Sequence, residues 1–228
     1  MTPCQHFRLS LEGAPLTQVK FNEIEKFVLT YFQSLWDEIN QSIHLLRKNG
    51  PDLVKSELCL CFVGADSLSR FREIVNTGKE EKDNDDRFRE WIDDFVLNER
   101  NDIYKKYKRE INCTSFIAWE LRNSLLHFYG LPHLENEIIG FATFDTELIK
   151  KFGIFARKSH PGKQIRVINP YRLIEAMSSG LLTQLKSLQE IIKGQDDASK
   201  ETYARGIVRC FEIIELEGAM YLPFTEKD

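Results

Sequence analysis

Apolar residues recur every three or four positions along most of this chain, and that period constrains the fold more than any other feature. Between Val19 and Lys48 the series Phe21, Ile24, Phe27, Val28, Tyr31, Phe32, Leu35, Ile39, Ile43 and Leu46 follows the helical repeat and predicts one long amphipathic helix. Asn49-Gly50-Pro51 closes it, with a glycine suited to a helix end and a proline suited to the next helix start. A second helix is predicted from about Asp52 to Val75. Leu58 to Val63 make its first half apolar on every side, as in a central bundle helix.

The same period continues downstream. Lys79 to Asp102 is rich in acids but carries Phe88, Trp91, Ile92, Phe95 and Val96 at helical spacing, which predicts a polar loop and then a surface helix. A short basic segment, Tyr104 to Arg109, follows. Asn112-Cys113-Thr114-Ser115 then supplies N-cap candidates for a helix reaching about Tyr129, stopped by Gly130-Leu131-Pro132. Pro170 opens a further helix to about Lys193, and a last one follows Asp196 and ends near Gly218.

The pattern breaks in one region. Ile138–Phe144, Gly153–Ala156 and Gln164–Ile168 are short and β-branched or aromatic, with glycine and proline between them. The expected architecture is therefore a mainly α, single-domain helical bundle spanning 1–228, with a small β-hairpin or meander inserted at 137–169.

Composition narrows the function. The 228 residues are 42% hydrophobic, enough for a sizeable core, and the net charge of -4 excludes a whole-molecule field drawing the chain onto nucleic acid. A polyanion would have to be met by a local patch. No run approaches the roughly 20 apolar residues that cross a bilayer, and the opening residues lack a signal-peptide layout, so a soluble cytoplasmic protein without a membrane partner is expected. Cys4, Cys59, Cys61, Cys113 and Cys210 form no C-x-x-C pair, and Cys59 and Cys61 lie about 200° apart on a helix. Reduced core thiols and no metal or cofactor are the expectation. Phosphate-cradling glycine loops, H-E-x-x-H and G-x-S-x-G are all absent from the sequence.

What remains is a dense polar cluster in an otherwise apolar helix, Trp119-Glu120-Leu121-Arg122-Asn123-Ser124-Leu125-Leu126-His127-Phe128-Tyr129. At about 100° per residue, Ile117, Leu121, Leu125 and Phe128 form the inward stripe, and Glu120, Asn123 and His127 fall on one flank. Arg122 lies about 140° around from His127, with Trp119 and Leu126 on the back face between them. A helix apolar on both sides wants a second cover, either the β insertion or a two-fold-related copy of itself. The copy would bring two arginines and two histidines into one groove, cations for a phosphate and imidazoles for acid and base duty.

Arg122-Asn123-Ser124-Leu125-Leu126-His127 resembles the signature of HEPN domains, an arginine and a histidine separated by a short, initially polar spacer on a late helix of an all-α bundle. The resemblance covers roughly Val19 to Tyr129 and implies a homodimeric, metal-independent endoribonuclease, as in many toxins and defence systems. It also implies catalytic roles for Arg122, Asn123 and His127. Tyr129 fits the R-x4-H-x-Y form of HEPN toxins whose partner, a minimal nucleotidyltransferase antitoxin, adenylylates that tyrosine. The β insertion and the last two helices depart from the minimal pattern.

Several residues have two readings. Glu120 can fix the His127 tautomer or be a plain surface acid, and Asp66 can reach the Arg122 site from the second helix or merely bridge helices. His127 near a helix end also suits the C-terminal dipole without any chemistry. Lys150, Lys151, Arg157, Lys158, Lys163, Arg166 and Arg172 meet only Glu147 in their stretch, a local +6 that can track RNA or simply be a solvated face. The alternatives to a ribonuclease are a non-catalytic interaction or regulatory module of the same fold, and a DNA-associated protein using this basic patch.

Overall fold

The computed structural model describes residues 37–48, 53–77, 81–142, 146–194 and 206. Apart from Gly206 the final predicted helix lies outside them, as do Cys4, Cys210 and the first part of the long N-terminal helix. Within them the chain is mainly helical with a two-stranded sheet. Helix α1 covers 37–48 and α2 runs Val54–Thr77. Helix α3, Asn84–Trp91, continues into a single π-helical turn, Ile92–Val96. Then come α4 (Asp102–Ile111), α5 (Ser115–Phe128), β1 (Glu137–Phe141), α6 (Thr146–Ser159), β2 (Gln164–Ile168) and α7 (Pro170–Gly194).

Helix α2 is the axis of the bundle and packs against α3, α5 and α7. Leu58, Cys61, Phe62, Ala65, Leu68, Phe71, Ile74 and Val75 give it a buried stripe over about five turns, continuous with Trp91 and Phe88 of α3 and Leu173, Ile174 and Met177 of α7. Its first half is not buried all round as the sequence predicts. Val63 is 51% exposed and Cys59 and Leu60 are half-buried, because no described helix packs on that side.

Close approach elsewhere depends on glycine. A Cβ on Gly180 of α7 would sit 3.0 Å from the Phe95 carbonyl and the Val96 side chain, so α7 seats directly on the π turn. Several buried polar side chains, Glu57, Glu73, Asn101, Ser115 and Asn169, sit near element ends. Glu73 of α2 accepts from the amides of Glu81 and Lys82 and from Arg87, which ties the start of α3 back to α2. Burial pushes the Glu73 carboxyl up, and these hydrogen bonds outweigh it, so it titrates below an ordinary glutamate.

The β insertion is present, but it is not a hairpin or meander. Strands β1 and β2 pair in parallel, from Glu137 opposite Gln164 to Phe141 opposite Ile168. A tight turn cannot join parallel strands, and α6 is the crossover. The Gly153–Ala156 stretch, read from composition as a strand, lies inside that helix. The physical reason is the charge period: Lys150, Lys151, Arg157 and Lys158 are all exposed, and spacings of one, seven and eight residues fall on one helical face. Ile154 and Phe155, the two residues there that favour a strand, could not override fourteen with that pattern. The insertion is clamped to the end of α4 through Asn112, a left-handed residue (φ 40°) whose side chain donates to the Val167 carbonyl at 3.1 Å.

Candidate functional site

Helix α5 is bounded as its sequence requires. Thr114 caps the start, its hydroxyl accepting from the Ile117 amide at 3.2 Å. At the other end Tyr129 takes the left-handed conformation (φ 52°), and the amides of Tyr129 and Gly130 return to the carbonyls of Leu125 and Ser124. The stop therefore falls on the tyrosine rather than on the glycine after it.

Ile117, Leu121 and Leu125 are buried against the bundle, but Phe128, assigned by angle to the same stripe, is 83% exposed. Helix α2 begins at Val54, and Ser56 in its first turn meets Tyr129, so the two helices stay in contact up to the end of α5. The Tyr129 hydroxyl lies 2.8 Å from the Ser56 hydroxyl. Lys55 donates to the Tyr129 carbonyl at 3.2 Å and stands 5.4 Å from the ring centroid. No sequence signal pointed to Lys55 or Ser56, which are more than seventy positions away from Tyr129.

Arg122 projects toward α2. Its Nε donates to Asp66 Oδ2 at 2.8 Å, its Nη2 donates to the same oxygen, and its Nη1 donates to the Asn123 side-chain carbonyl at 2.8 Å. The guanidinium also lies 5.0 Å from the Trp119 ring centroid, close enough for a cation–π contact. Trp119 in turn packs on Phe88 with ring centroids 5.5 Å apart. Asp66 thus reaches the Arg122 site from the neighbouring helix. Asn123 engages Arg122 rather than His127.

His127 is exposed, and its ring contacts that of Phe128 edge-on with centroids 6.3 Å apart. Within one chain it shares no hydrogen bond with Arg122. The arginine turns toward the start of α5, as helical side chains do, while the histidine stands in its last turn. Glu120 is half-buried on the same helix. The outward half of α5 carries Asn123 and His127 with Phe116, 47% exposed, and the half-buried Leu126, while Arg122 and Trp119 lie on a flank covered within the chain, Arg122 by Asp66 of α2 and Trp119 by Phe88 of α3.

The second basic patch divides. Arg166 forks onto Glu137, Nε to Oε2 at 2.8 Å and Nη2 to Oε1 at 2.9 Å, and Arg172 contacts Glu110 and Glu175 and stacks 3.9 Å from the Tyr107 ring centroid. Lys163 donates to the Leu134 carbonyl. The acids come from outside the stretch in which only Glu147 is visible, so the local +6 is not that of a free surface. Lys150, Lys151, Arg157 and Lys158 remain exposed on α6.

Cys61 and Cys113 are buried free thiols, pushed up to about 12 by burial, which makes them poor nucleophiles near neutral pH. Among the described residues no three His, Cys, Asp or Glu side chains gather as a metal-ligand set, and no helix is long and apolar enough to cross a membrane. No protein-family model, curated protein or solved structure matches the chain.

Proposed function

We propose that the chain is a HEPN-type endoribonuclease whose site forms when two copies of α5 face each other. The observation that carries this reading is the outward half of α5. The exposed His127 imidazole shares it with Phe116, 47% exposed, and lies beside Phe128, 83% exposed, where a helix facing only water would be polar, while Arg122 stands at its edge toward α2. Self-association through that face would cover the apolar residues and bring each His127 near the partner's motif, the isologous contact of a two-fold dimer.

In such a groove the 2′-hydroxyl of RNA attacks the adjacent phosphorus. One His127 imidazole takes the 2′-proton as the O2′–P bond forms, and the second protonates the departing O5′ as the P–O5′ bond breaks. Arg122 holds the charge on the non-bridging oxygens, and Asn123 aims Arg122. The products are a 2′,3′-cyclic phosphate and a 5′-hydroxyl, and DNA is inert because it lacks the nucleophile. Lys150, Lys151, Arg157 and Lys158 supply a surface for the RNA backbone. A toxin or defence setting, with Tyr129 as the acceptor for an antitoxin nucleotidyltransferase, belongs to the same reading.

A second reading, a non-catalytic interaction module of the same fold, is favoured by the pairing of Arg122 with Asp66. Incubating the purified chain with RNA in EDTA separates the two. Cleavage lost in both His127→Ala and Arg122→Ala supports the nuclease, and no cleavage by folded wild type supports the module.

A further inference from the structure

We infer that Asp66 holds the seat of a phosphate, so that Arg122 is an anion-binding site kept shut by the chain's own carboxylate. The inference rests on the ribonuclease reading only for the identity of the incoming anion. A guanidinium presenting Nε and Nη2 side by side suits two oxygens of one carboxylate or phosphate. Here both nitrogens converge on a single oxygen, Oδ2 of Asp66. The fork is occupied without being matched.

The surroundings are those of a prepared anion site. Asn123 fixes Nη1 and the Trp119 ring lies beside the guanidinium, so Arg122 keeps its place when Asp66 leaves. The Arg122 and Asp66 side chains keep 18% and 26% exposure, so the pair is open to an anion in solution. The two buried acids of α2 have structural partners: Glu57 takes Arg47, and Glu73 takes the loop amides and Arg87. Asp66 instead spans to α5 and cancels the one cation that the motif helix carries before His127. While it does so, the site has no net charge to draw a polyanion. Once displaced, it leaves a fixed, unpaired guanidinium.

The test uses the full chain and inorganic phosphate, followed by calorimetry, with RNA cleavage in EDTA measured in parallel. Asp66→Asn keeps the shape and an acceptor for Arg122 while removing the charge, and Asp66→Ser serves as an independent second variant. Both are expected to bind phosphate about tenfold more tightly than wild type, the effect of removing one like charge beside a bound anion, and the gain should vanish when Arg122→Gln is added. Unchanged or weaker phosphate binding in the folded variants overturns the inference, as does tighter binding that survives Arg122→Gln. If phosphate binding tightens but no variant cuts RNA, the anion seat stands and the ribonuclease reading falls. Faster RNA cleavage by Asp66→Asn with unchanged phosphate affinity would leave the nuclease and remove the seat.

Discussion

Asn101 shows how a single polar side chain can hold three elements. It is 1% exposed, yet every group it owns is satisfied. The amide donates to the carbonyls of Phe95 and Ala176, each at 2.9 Å, and its oxygen accepts from the amides of Ile103 and Tyr104. It therefore closes the π turn, caps α4 and docks α7. Asn101→Ala should cost about 2–4 kcal/mol, since it removes a cap and strands two buried carbonyls. Urea unfolding measures this, and a loss under about 1 kcal/mol would show that water replaces the amide. Glu137 gives the matching prediction for pH. The Arg166 guanidinium hydrogen-bonded to it holds its carboxyl below the usual glutamate value of 4.5, against the upward push of burial. A depressed folded value contributes stability that is fully present above 4.5 and is lost as the pH falls through the folded value. Wild type should exceed Glu137→Gln by about 1–2 kcal/mol at pH 7, with the gap closing below pH 4 in urea midpoints.

Among the elements, the helices were largely legible because their apolar residues keep the 3.6-residue period over many turns. The Thr114 cap and the Asp66 reach to Arg122 were legible too, the first from residue type and the second because a polar residue interrupts an apolar helix. Helices α4 and α6 were not: the first was read only as a short basic segment, and in the second Ile154 and Phe155 have local strand character while only the longer charge period marks it as helix. The pairing of Arg166 with Glu137 and of Arg172 with Glu110 was equally hidden, because each links positions far apart in sequence that meet only when the insertion docks. Phe128 was misplaced by angle alone. Helical phase says which way a side chain points, but not whether anything packs there, and Phe128 is 83% exposed although α2 still reaches Tyr129.

On the scale of the whole molecule, the described residues share one hydrophobic core running from Ile39 to Leu181, against which Trp119 of α5 packs, while Phe116, His127 and Phe128 of the same helix stay exposed. If two chains meet there, disrupting the face should change assembly without changing the fold. Phe116→Glu is suited to this, since the residue is half-exposed in the first turn of α5, where an acid is favourable to the helix dipole. Thermal stability of the protomer should stay within about 0.5 kcal/mol of wild type. Sedimentation should shift from dimer to monomer, and RNA cleavage should fall with it. A wild type that sediments as a monomer while cutting RNA would remove the two-fold groove. The central claim, that α5 presents an imidazole to a ribose-containing backbone, is tested most directly by the ends of the products. Mass spectrometry of one RNA and its all-2′-deoxy counterpart, incubated in EDTA, should find 2′,3′-cyclic phosphate and 5′-hydroxyl ends from the RNA alone, and neither after His127→Ala. Cleavage of the deoxy strand, or cyclic phosphate produced undiminished by His127→Ala, would contradict it.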